Sequence, residues 1–373
     1  MMEGIYFSMG AKVYFERGGL GKYLPEVREH GKKILIVTGK HFIFKSGLYD
    51  LISGILSRNG IEHVFYSDVN PEPDTDDVDR GALLCRKEGC DCVFSVGGGS
   101  ALDAGKAIAV IAANGGSVRD YFGEMEYEKK PLPVIAVPTT CGTGSEVTRF
   151  AVIVDRRERT KKTVSSEKII PKVSILDAEV LKTLPQKLVM ATGMDAFSHS
   201  AESFLSSRAD SLSRMFSKES IKMLWKSLPR AYREPDNIEV KEKIFLASLI
   251  AGFALNKTGT IIVHGIGYSL TIKHNVHHGT ANAIVLPYVF EYLKENGYSE
   301  EMFELEEIWG DTGKLKDFVS DIGLPSTLDG VGVSREELDE LTDLSVTGTQ
   351  RSMKNMKVKM ERGDLKKILE MAL

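Results

Sequence analysis

The periodicity of apolar residues changes once along the chain, near residues 182–185, and that change limits the folds open to it. Before it, short β-branched runs alternate with helical patterns. KILIVT at 33–38 precedes a helical stretch near 46–59, residues 61–66 read as the next strand, and 76–87 as the next helix. DCVFSV at 91–96 is an apolar strand running into glycines, 101–113 continue as a helix, and 133–137 form another strand that ends at Pro138-Thr139-Thr140. Such alternation predicts an α/β fold, a doubly wound parallel sheet with crossover helices. Beyond Leu188 the segments 188–206, 210–231 and 240–259, and others on to Ala372, read as helices, and strand-like runs nearly vanish. The expectation is an α/β domain at 1–182 and an all-helical domain at 183–373. Two domains also suit 373 residues, since single cores stop growing at about 250–300. Two charged stretches, 68–80 and 155–162, read as solvated loops.

A formal net charge of −4 gives no electrostatic reason to expect nucleic acid or an anionic membrane as partner. The first residues lack a basic segment followed by an apolar one, and no apolar run reaches the roughly 18–20 residues that span a bilayer. Cys85, Cys90 and Cys92 cluster without a C-x-x-C spacing and Cys141 stands alone, so neither a disulfide framework nor a zinc knuckle is expected. A reducing, cytoplasmic location follows.

Two loops carry ligand-binding chemistry. Gly97-Gly98-Gly99-Ser100 follows an apolar strand and opens a helix, where glycine lets the backbone approach a ligand and free N–H groups attract phosphate. Ser100 is also placed to cap that helix. The spacing is not G-x-G-x-x-G, and a tight turn explains it equally well. A second loop, Pro138-Thr139-Thr140-Cys141-Gly142-Thr143-Gly144-Ser145-Glu146-Val147-Thr148, is dense in hydroxyls and again lies past a strand end. Ligands in open α/β sheets sit beyond the carboxyl ends of strands, so the pair of loops favours a nucleotide site.

Five of the eight histidines fall between residues 199 and 278. Asp195 and His199 are four apart, which puts them on one face of a helix. With His264 and His278 they make a donor set suited to Fe(II) or Zn(II). Each element also has a plainer explanation: a surface Asp–His pair, a hydrogen-bonded core His264, a polar loop around His274, His277 and His278. Spacing alone leaves both open.

The segments GGGSALDAGKAIA, PTTCGTGSEVT, GMDAFSHSAESFLS and HGIGYSLTIKHNVHHGTANAIVLPYV resemble, in order and spacing, the signatures of iron-containing alcohol dehydrogenases. The likeness runs over nearly the whole chain. It implies a dinucleotide-binding domain, an all-helical domain of the architecture shared with dehydroquinate synthase, and an active site in the cleft between them. It implies Asp195, His199, His264 and His278 as ligands of Fe(II), with Zn(II) as the ion a purified sample could carry. Gly98, Gly99 and Ser100 would hold the pyrophosphate. Asp103, Thr139, Thr140, Thr143 and Thr148 would line the cofactor cleft, with Lys161 toward the ribose. The activity implied is hydride transfer between NAD(P) and a small alcohol, diol or aldehyde, by a homodimer or larger homo-oligomer.

Among several departures from the family pattern, two bear on the cofactor and on the path of the proton. Where many members have an aspartate after the first strand, it has Gly39 followed by Lys40, which removes repulsion against a 2′-phosphate and predicts a preference for NADP(H) over NAD(H). Where many carry a second histidine four residues after the first, it has Tyr268. The alcohol proton would then leave through Tyr268, His274, ribose hydroxyls or water. The alternatives are a zinc-type glycerol dehydrogenase and, in another class, a dehydroquinate synthase-like lyase. The lyase would need a basic pocket, for which Lys257 and Lys273 are the candidates.

Overall fold

The computed structural model describes residues 5, 7–158 and 160–373. By internal contacts the chain forms two units, one of Ser8–Thr140 with Ser145–Leu184, the other of Pro185–Leu373 with Cys141–Gly144, Ile5 and Phe7.

The first unit is built on a six-stranded sheet of β1 (Lys12–Phe15), β2 (Lys33–Gly39), β3 (Glu62–Val69), β4 (Cys92–Gly97), β6 (Val134–Pro138) and β9 (Val173–Leu176). Its order is β1-β9-β6-β4-β2-β3, every pairing parallel. Ile34, Leu35, Ile36 and Val37, like Val93 and Phe94, are wholly buried, as expected of strands covered on both faces. The helices of this unit are α1 (Gly19–Tyr23), α2 (Phe42–Lys45), α3 (Leu48–Arg58), α4 (Thr75–Lys87) and α5 (Gly99–Asn114). β5 (Gly123–Glu124), β7 (Phe150–Asp155) and β8 (Thr160–Ser165) form a separate three-stranded sheet.

The charged stretch 68–80 is not the solvated loop its composition predicts. Asp74 caps α4 and forms a capping box with Asp77. Asp77 is fully buried because its carboxylate accepts from the Asn70 amide at 2.9 and 3.0 Å and from Arg80 at 2.7 Å.

The second unit consists of α6 (Gln186–Leu205), α7 (Ser211–Arg233), α8 (Ile238–Thr258), α9 (Ile262–His274), α10 (His278–Glu295), α11 (Ser299–Trp309), α12 (Thr312–Asp321), α13 (Leu338–Thr349) and α14 (Arg362–Ala372). Helix α6 is its axis: every residue from Val189 to Leu205 is buried, and it packs against α7, α8 and α10. Small residues permit this. A Cβ on Gly279 of α10 would lie 2.0 Å from the Ala191 carbonyl oxygen of α6, so the two backbones nearly touch. Among the described residues no single helix is long and apolar enough to cross a membrane.

Candidate metal centre and nucleotide edge

In the sheet, β2 has β3 on one side and β4 on the other, so the order of strand addition reverses there. Ligand crevices of open α/β sheets form at the carboxyl ends of such a pair. Gly39 and Lys40 leave β2 at that edge, and Gly98, Gly99 and Ser100 follow the end of β4. Lys40 Nζ donates to Asn70 Oδ1 at 2.9 Å. Ser100 is not the cap of α5, whose N-cap is Gly98; its hydroxyl donates to the Pro71 carbonyl instead. Next to Pro71, Glu72 pairs at 2.6 Å with Lys161 Nζ. Lys40, Ser100 and Lys161 thus gather around the segment that follows β3.

The hydroxyl-rich loop is braced from beneath. Lys106 is wholly buried, and its ammonium donates to the carbonyls of Ser145 at 2.9 Å and Thr148 at 3.3 Å, and to that of Phe150. Asp103, one turn earlier on α5, accepts from Ser145 Oγ at 2.5 Å and the Val152 N–H at 2.9 Å, and lies 3.2 Å from Lys106. Asp103 and Thr148 are therefore engaged in the loop's framework. Thr139 donates its N–H to the Gly97 carbonyl at 2.9 Å, which joins the two loops, and Thr140 follows it. Thr143 lies in the 141–144 segment that groups with the helical unit. Cys141 in the same segment is fully buried, and burial pushes its thiol up to about 11, so it stays protonated and unreactive.

In the helical unit three helices deliver imidazole and carboxylate groups to one place. Asp195 and His199 come from α6, His264 from the first turn of α9 and His278 from the start of α10. One donor atom each from Asp195, His199 and His264 lie within 4.8 Å of one another. His278 Nε2 is 3.7 Å from Asp195 Oδ1, and its ring neighbours those of His264 and Tyr268, with centroids 5.1 and 4.9 Å away.

Hydrogen bonds decide which nitrogens face inward. His199 Nδ1 donates to the Gly142 carbonyl at 3.2 Å, and His264 Nδ1 donates to Glu202, so in the neutral form of each ring, the form that binds a metal, Nε2 carries the lone pair. The buried His264 Nε2 lies 3.4 Å from Asp195 Oδ1, and among the described residues it has no hydrogen-bond partner. That orphaned nitrogen, set among oxygen and nitrogen donors, is what a first-row divalent metal requires.

The electrostatics agree. Burial pushes the Asp195 carboxyl up, but the three imidazoles outweigh it and hold it below its usual range. Burial likewise disfavours a charged His264, yet Glu202 and Asp195 raise its pKa to about 9. For His199 burial prevails and lowers it.

Two residues here escape a reading by ligand type. Glu202 continues the α6 face of Asp195 and His199 by helical spacing, and Asn282 stands one turn after His278. Asn282 Nδ2 lies 3.0 Å from Asp195 Oδ1 and 3.2 Å from His278 Nε2. His274 is ten residues beyond His264 on α9, about 15 Å along the axis, with its Nε2 3.4 Å from Glu337. Lys257 and Lys273, the cations a lyase pocket would need, are paired with Asp210 and with Glu337 and Glu340.

Family models for "Iron-containing alcohol dehydrogenase" and for the C-terminal domain of the Fe-containing alcohol dehydrogenase family match residues 10–178 and 189–373. The chain is 33% identical over 371 residues to long-chain-alcohol dehydrogenase 1 of Geobacillus thermodenitrificans, covering 95% of this chain and 93% of that one. It is 32% identical to the NAD-dependent methanol dehydrogenase of Bacillus methanolicus, over 87% of this chain and 89% of that one. Among solved structures, an iron-containing alcohol dehydrogenase from Thermotoga maritima superposes with a TM-score of 0.90 at 32% identity, covering 99% of each chain. The chain therefore belongs to the iron-containing alcohol dehydrogenases, enzymes that move a hydride between a nicotinamide dinucleotide and an alcohol or aldehyde.

Proposed function

We propose that Asp195, His199, His264 and His278 hold a catalytic divalent metal, Fe(II) in the cell, with Zn(II) able to take its place. The observation that carries this reading is the buried, orphaned His264 Nε2 beside the Asp195 carboxylate. Such a metal, when bound, supplies Lewis-acid polarisation of the substrate oxygen. The protein's own part is to fix the donors: Gly142 and Glu202 orient the two imidazoles, and Asn282 orients Asp195. Tyr268, stacked on His278, is better placed to handle the alcohol proton than His274, which faces Glu337. His264→Ala, assayed for metal and turnover, should lose stoichiometric iron. Its activity should fall about 10³-fold or more, the effect of several kcal/mol of lost charge stabilisation. Full metal content with full activity would defeat the assignment.

The cofactor reading is NADP(H) over NAD(H). It rests on Gly39 ending β2 without a carboxylate and on Lys40, held by Asn70, following it. Two relatives point the other way for themselves: one is named NAD-dependent methanol dehydrogenase, and a sulfoacetaldehyde reductase was solved with NAD+. The ratio of kcat/KM for the two cofactors decides it. We further propose a cytoplasmic homodimer or larger homo-oligomer; the four free, buried cysteines suit a reducing compartment.

A further inference from the structure

The Glu202 side chain is fully buried, and both of its oxygens are committed. Oε1 accepts the N–H groups of Ile261 at 3.0 Å and Val263 at 2.9 Å, and Oε2 accepts Nδ1 of His264. Helix α9 has no side-chain cap of its own at Ile261. One carboxylate from α6 thus caps the start of α9 and grips the imidazole on its first turn. We infer that Glu202 is the positioning residue that makes His264 a metal ligand, by fixing its tautomer and its place relative to Asp195. This rests on the metal reading above.

The chemistry is specific to a carboxylate. A neutral ring that donates Nδ1–H to Glu202 must present the Nε2 lone pair toward Asp195 and His199. The anion also makes that nitrogen a stronger donor. In Glu202→Gln, the two backbone N–H groups select the amide oxygen, which leaves the NH2 group facing His264. That group donates to Nδ1 and drives the ring to its Nε2–H tautomer, which cannot ligate. The variant keeps the cap and the volume but loses the ligand. A purely structural Glu202 would behave in the opposite way: Gln would leave metal binding intact.

The test is Co(II) titration of the metal-free full-length protein against a competing chelator, read by affinity and by the d–d absorption of the bound ion. Wild type should bind one Co(II) per chain with a defined d–d spectrum. Glu202→Gln should bind about 10- to 100-fold more weakly, with an altered spectrum, while its metal-free form still unfolds cooperatively. Wild-type affinity and spectrum in the Gln variant would overturn the role of Glu202 alone, whereas failure of wild type to take up Co(II) would overturn the metal reading itself. A measurement on unmodified protein covers a variant that does not fold. The zinc form labelled with 15N-histidine should show a downfield, slowly exchanging Nδ1–H for His264, and an Nε2–H signal there would overturn the inference.

Discussion

The Asn282 amide lies 3.0 Å from the Asp195 carboxylate, joining side chains 87 positions apart in sequence. The same amide nitrogen is 3.2 Å from His278 Nε2, so one neutral donor sits against two of the proposed ligands. Asn282 is wholly buried, and a Cβ on Gly267 would lie 2.2 Å from its oxygen. Asn282→Ala should cost about 1–3 kcal/mol of stability through the unpaired groups it leaves. It should also weaken metal binding about 10-fold. Denaturant titration and chelator competition read the two effects separately.

Gly279→Ala tests the contact between α10 and α6. The added Cβ would meet the Ala191 carbonyl at 2.0 Å, a backbone atom that cannot swing aside. Helix α10 must retreat, at a cost of about 1–3 kcal/mol or more. His278, the adjacent residue, moves with it. The variant should melt earlier and hold metal less tightly; a normal Tm would contradict the close approach.

Glu146 predicts a pH dependence of stability. It is fully buried, and burial raises its pKa from 4.5 to about 7, against the weaker attraction of Lys106. The folded state therefore keeps a proton that the unfolded chain releases above pH 4.5. Stability tied to this group is complete below about pH 4.5, falls as the pH rises to 7, and stays low above that. The full fall is at most about 3 kcal/mol. Glu146→Gln should flatten the Tm profile over that interval and be the more stable protein at pH 8. Parallel profiles would refute the assignment.

Lys40→Ala tests cofactor choice. If the ammonium pairs with a 2′-phosphate, its loss removes a charged hydrogen bond worth about 1.5–3 kcal/mol. The kcat/KM for NADP should then drop about 10-fold or more, with NAD left within about twofold. Equal losses for both cofactors would mean that Lys40 serves the Asn70 contact only.

The main architecture was readable because two periodicities, one of strands and one of helices, occupy separate stretches of chain. What was missed has local causes. β1 and β9 are four residues each, and β1 carries mixed residues that resemble a loop. The hairpin of β7 and β8 belongs to its own small sheet, and its turn and second strand were masked by charge. Asp77 reads as solvated from charge alone, without its partners; the Asp74–Asp77 spacing is the capping signal in the sequence. In the candidate metal centre, Asp195 and His199 announce each other by spacing. His264 and His278 reach them only through the packing of α9 and α10, a long-range fact no local spacing encodes. Glu202 was hidden for a different reason: its partners are two backbone N–H groups and a ring nitrogen, and none of these is visible in a string of letters.

Lys106 carries a consequence for how the first unit meets a ligand. Its ammonium is pegged to two carbonyls of the hydroxyl-rich loop and to the first carbonyl of β7. The conformational entropy of that loop was given up when the chain folded. A dinucleotide arriving there would find the backbone already set, so less of its binding energy would go to ordering the protein and more would remain as affinity.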